Sequence, residues 1–166
     1  MFGSMGDGYR VLGGVGPPLP GVVGPADLDA RVEWVPVRRT RQLLDVLAAR
    51  LGSEIDLHKI ALGVLCPLRA ALDGPPLGAL LAHVPLSLAR EIAHGDAAVG
   101  RRVQSPTGAG DYLLEVSRLI MQPPSRAATY VRAVFGAARA VLAREAWEAV
   151  ASRLPRDLAE LWRTAR

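Results

Sequence analysis

One cysteine, one lysine, three histidines and eight aromatic residues are all that the 166-residue chain contains of these types. A lone Cys66 excludes a disulfide framework and a thiolate metal cluster. It lies in Val64-Leu65-Cys66-Pro67, an apolar setting that reads as an inert, buried thiol. With so few rings, a core must be built from Leu, Val and Ala, which suits packed helices better than sandwiches. His58, His83 and His94 stand 25 and 11 positions apart. No pair has the i, i+4 spacing that puts two ligands on one helix face, and no Asp/Glu cluster completes a shell. They read as surface or core-edge residues, and neither a metal nor a cofactor is expected. The N-terminus lacks a basic segment followed by an apolar run, so it does not read as a secretory signal. The uncharged stretch Gly74–Ala89 is 16 residues, cut by Pro75, Pro76 and Pro85, and falls short of the roughly 20 needed to span a bilayer. A cytoplasmic protein without a membrane partner is the expectation.

What is present begins with an arm. Residues 1–30 hold eight glycines and four prolines without helical or alternating periodicity. Such a segment buries too little apolar surface to offset its ordering entropy. Val32, Trp34, Val35 and Val37 then form a short β-prone run broken by Pro36. Residues 1–37 therefore read as a flexible tail whose end packs on the body, or as a docking arm anchored by Trp34.

Charge separates the two regions. Residues 1–37 carry two Arg against four acidic residues, a net of −2, and residues 38–166 carry 18 basic against 12 acidic residues, a net of +6. The basic clusters are Arg38, Arg39 and Arg41, and Arg101 with Arg102. Such a body can attract acidic proteins or nucleic acid. Nucleic-acid recognition would want interleaved aromatics or a polar recognition helix, and neither is present. The clusters read as contacts for an anion or an acidic partner, or as solvated side chains.

The most informative feature is an internal repeat. A gapless shift of 70 residues overlays 41–92 on 111–162 with 11 identities in 52 pairs. Leu43-Leu44-Asp45-Val46 meets Leu113-Leu114-Glu115-Val116, and Arg69-Ala70-Ala71-Leu72 meets Arg139-Ala140-Val141-Leu142. Val84-Pro85 meets Leu154-Pro155. Each copy reads as four short helices. In the first they fall at about Arg39–Leu51, from the Ser53-Glu54-Ile55-Asp56 capping box to about Leu72, about Leu77–His83 and about Leu86–Ile92. Asp73-Gly74-Pro75-Pro76 reads as a stop and turn between the second and third. The fold class is all-α: two tandem four-helix repeats, 38–94 and 111–166, packed as one bundle across a 95–110 linker behind an extended arm.

The copies differ in polarity. Ile60–Ala89 carries only Arg69 and Asp73, whereas Tyr130–Ala159 carries eight charges. A helix apolar all round is buried all round. The third and fourth helices of the first copy, with Leu77, Leu80, Leu81 and Leu86, therefore sit between the copies or face a partner.

Three runs stand out: Tyr112-Leu113-Leu114-Glu115-Val116, Tyr130-Val131-Arg132-Ala133-Val134-Phe135, and the closing Leu154-Pro155-Arg156-Asp157-Leu158-Ala159-Glu160-Leu161-Trp162. With them the pattern resembles a bacterial family known as domain of unknown function 2267. The resemblance covers roughly residues 39–165. The first copy departs, with Val84 for the Leu and Leu86-Ser87 where the family is usually charged. The resemblance implies an all-helical fold and no established catalytic residues.

Gly13-Gly14-Val15-Gly16 lacks the Lys-Ser/Thr of a phosphate loop and opens no helix. The expectation is a non-enzymatic helical adaptor or structural subunit, binding a protein partner or its own copies through Val32, Trp34, Val35, Val37, Leu77, Leu80, Leu81 and Leu86. The alternative is a basic nucleic-acid- or ribosome-associated protein. A helical ligand carrier or enzyme is the third reading.

Overall fold

A computed structural model describes residues 42–95, 100 and 102–166. Among these, the chain forms eight α-helices and no strand. They are α1 (Gln42–Leu51), α2 (Leu57–Ala71), α3 (Gly74–Leu81) and α4 (Leu86–Ala93), then α5 (Ala109–Ile120), α6 (Pro124–Val141), α7 (Arg144–Ala151) and α8 (Arg156–Thr164).

The helix boundaries follow from local chemistry. Leu43 and Leu47, one turn apart, are buried in α1, with Leu44 and Leu51 half-buried beside them. Burying one such leucine contributes about 1.5–3 kcal/mol. The α2 cap is Asp56 itself, whose carboxylate accepts from the Lys59 amide at 3.0 Å. The cap thus falls three residues beyond Ser53, on a side chain that reaches a free amide of the first turn. Pro75 and Pro76 do not act as a stop. They lie in the first turn of α3, where the missing proline N–H costs nothing.

Helices α5 and α6 meet at a turn where Met121 adopts a left-handed conformation, φ 54°. The Met121 and Gln122 amides close back onto the carbonyls of Arg118 and Ser117. Pro124 then fits the first turn of α6, whose Val131, Val134, Phe135 and flanking alanines are buried.

Packing ties the two halves together. Helix α1 lies on α6, and α5 lies on α2 as well as on α6. Helix α3 meets α7, and α2 also meets α6. Gly63 allows the α2/α5 crossing: a Cβ there would sit 2.4 Å from Ile120 Cγ2.

Aromatics concentrate in the second half. Tyr112 and Phe135 lie 5.9 Å apart, and Phe135 meets Trp162 edge-on at 4.7 Å. Trp162 stacks on Trp147 at 4.1 Å and donates its indole N–H to the Trp147 carbonyl at 3.1 Å. In the first half Leu65 and Ile92 are buried and Leu77 is half-buried.

Candidate functional site

The interface residues named from sequence separate on the structure. Leu80 is wholly buried within this chain's own core, so it is no contact for a partner. It lies on α3, the helix that meets α7. Leu77 and Leu81 are half-buried and pack against the same core. Leu86, at the start of α4, keeps 62% of its surface exposed. Val32, Trp34, Val35, Val37, Arg38, Arg39, Arg41 and Arg101 lie outside the described residues.

Arg102 is exposed and borders a surface cleft of about 400 Å³ whose walls include Pro67, Ser105, Asp111, Glu115 and Arg118. The Thr107 hydroxyl donates to Asp111, and Arg118 approaches Glu115 at 3.8 Å. Opposite charges largely offset one another here. The cleft is polar, and its charges are those of the segment before α5 and of α5 itself.

The second half holds a different cleft, of about 450 Å³, lined by Arg139, Leu142, Arg144, Trp147, Glu148 and Arg163. Arg139 Nη1 donates to the carbonyls of Arg163 at 3.1 Å and Ala165 at 3.4 Å. Its guanidinium carbon stands 5.9 Å from the centre of the Trp147 ring, within cation–π range. Arg163 Nε approaches Glu148 Oε2 at 3.4 Å. Sequence reasoning passed over this group because its members lie on three helices. The signal was the eight charges of Tyr130–Ala159, with Trp147 standing where the first copy has Leu77.

Other groups are structural. Asp157 Oδ2 accepts from the Ala109 amide at 2.8 Å, capping α5, whose N-cap Gly108 offers no side chain. His58 Nε2 lies 3.0 Å from Glu91 Oε1, both about two-fifths exposed. Cys66 is buried beside Gly95, where a Cβ would come within 2.7 Å of its Sγ. Among the described residues, no three His, Cys, Asp or Glu side chains are grouped to hold a metal ion. None of the described helices is long and apolar enough to cross a membrane.

The architecture is that of an all-helical protein whose two halves share one core. Residues 40–161 match the family described as uncharacterized conserved protein DUF2267, and the chain belongs to that family. No curated protein and no solved structure matches it.

Proposed function

We propose that this chain is a non-enzymatic helical adaptor or structural subunit of a larger assembly. Its body would be two tandem four-helix repeats packed as one bundle. Supporting the repeat, α3 at Gly74–Leu81 recurs 70 positions on as α7 at Arg144–Ala151, and α4 recurs in the same way as α8. The helix contacts support the same reading. Each copy's first helix lies on the other copy's long helix, while the two third helices meet each other, as do the two long ones.

The observation that carries the adaptor reading is Leu86. It stands 62% exposed in a half whose Ile60–Ala89 segment holds only Arg69 and Asp73 as charges. A large apolar side chain left in water among few charges is the signature of a contact surface when apolar neighbours extend it. Leu77 and Leu81, half-buried on the preceding helix, are the neighbours this reading employs. The arm, residues 1–37, would supply a second contact through Val32, Trp34, Val35 and Val37.

The test compares the full chain with Leu86→Glu in affinity capture from native cells, with light scattering on each purified protein. A defined protein, or a second copy, held by the native chain and released by Leu86→Glu at unchanged helicity supports the proposal. A monomer that captures no protein, or captures only nucleic acid, overturns it.

A further inference from the structure

We propose that the cleft formed by Arg139, Arg144 and Arg163 binds an oxyanion of the phosphate class. This inference stands apart from the adaptor reading, since it concerns the second half of the body and none of the leucines above.

Charge is the first argument. Three guanidinium groups and one carboxylate line the cleft, a net of +2 by subtraction. Like charges held around one concavity repel, and an anion entering between them removes that repulsion. Glu148 does not neutralise the cleft. It faces Arg163 Nε, which leaves that side chain's terminal nitrogens for a ligand.

Preorganisation is the second. Arg139 is steered by two backbone carbonyls through Nη1 alone and by the Trp147 ring, which is itself stacked on Trp162. Its Nε and Nη2 stay available, in the planar geometry that suits phosphate oxygens. Arg144 is exposed at the first position of α7.

The comparison between copies is the third. Where the first copy has Asp73 before its third helix, the second has Ala143; Gly74 is replaced by Arg144, Ala93 by Arg163 and Leu77 by Trp147. Ala143 and Arg144 stand at the start of α7 and Arg163 in the last turn of α8, and Glu148 arrives with them where the first copy has Gly78. Arg163 is paired with Glu148, and Arg144 is the exposed arginine that no ion pair among the described residues accounts for.

The chemistry also limits the ligand. Trp147 is 6% exposed, so it presents no open face on which a nucleobase could stack. Recognition is by charge and by N–H donors, which fits a phosphoryl group whatever carries it.

The experiment is calorimetric titration of the full chain with inorganic phosphate, pyrophosphate and a phosphoserine peptide, with tryptophan fluorescence as a second readout. Saturable binding of at least one is expected, weakened at least ten-fold by Arg144→Ala and abolished by Arg144→Glu. Arg132→Ala, which removes an exposed arginine outside the cleft, should leave it unchanged. Binding of the inorganic anions identifies a free ligand, and binding of the peptide alone a protein-borne one. No saturation with any probe overturns the proposal. So does an equal loss in Arg132→Ala and Arg144→Ala, which would mark general attraction to a basic surface.

Discussion

The Tyr112 hydroxyl donates a 2.7 Å hydrogen bond to the Val64 carbonyl, inside the core and across the crossing of α5 with α2. Three residues on, α2 contains Pro67, which has no amide to give and whose ring crowds the preceding turn. The amide that Pro67 lacks would have served the Gly63 carbonyl, four residues back; the phenol bonds the carbonyl next to it. Tyr112→Phe should keep the ring packing against Phe135 and lose the bond, destabilising the fold by about 1 kcal/mol, the net worth of a typical buried hydrogen bond. Chemical denaturation of the two proteins measures it.

Burial also pushes the Tyr112 phenol well above its ordinary value of 10.0. The folded state therefore keeps the proton at pH values where the unfolded chain releases it. Sign follows from linkage: the stability Tyr112 contributes is full below the unfolded value near 10 and declines as pH rises above it. The advantage of the native chain over Tyr112→Phe should hold constant to about pH 9 and shrink beyond pH 10. Denaturation midpoints across that range check it, and an advantage that grows would refute the assignment.

Gly63→Ala is expected to destabilise despite alanine's better helix propensity. The new methyl would sit 2.4 Å from Ile120 Cγ2, on a stiff β-branched side chain that is itself buried. Overpacking of this kind costs about 1–3 kcal/mol, against roughly 1 kcal/mol recovered from propensity. In a double-mutant cycle, Ile120→Ala should relieve part of the Gly63→Ala penalty. Strictly additive losses would place the strain elsewhere.

Met121→Gly should stabilise the protein. A left-handed conformation costs an L-residue roughly 1–2 kcal/mol, and glycine adopts it freely. The side chain is 74% exposed, so little packing is surrendered. An increase near 1 kcal/mol in unfolding free energy is the expected outcome.

Asp157→Ala should cost about 1 kcal/mol, the usual worth of an N-cap, and Asp157→Asn much less, since the amide oxygen can still accept from Ala109. Hydrogen exchange should quicken in the first turn of α5, remote in sequence from the substitution. An effect confined to α8 would contradict the capping role.

The helices were legible because their signals are local. Leu43, Leu44, Leu47 and Leu51 declare a stripe, and Pro85 and Pro155 each precede a helix start as read from sequence. Pro75 and Pro76 misled, because a proline pair punctuates a chain whether it ends one helix or opens the next, and only the downstream packing of Leu80 decides. Asp157 shows a further limit. Its motif was visible, but the amide it caps belongs to a helix 48 residues away, which no local pattern encodes. The Arg139–Arg144–Arg163 group was hidden for the same reason.

The placement of α1 on α6 also has a consequence for the order of events during synthesis. Leu43 and Leu47 emerge from the ribosome long before residues 124–141 exist to cover them. The first half must therefore wait, partly uncovered, until α6 has left the exit tunnel. A chain interrupted before α6 would carry an adhesive surface that the finished protein conceals.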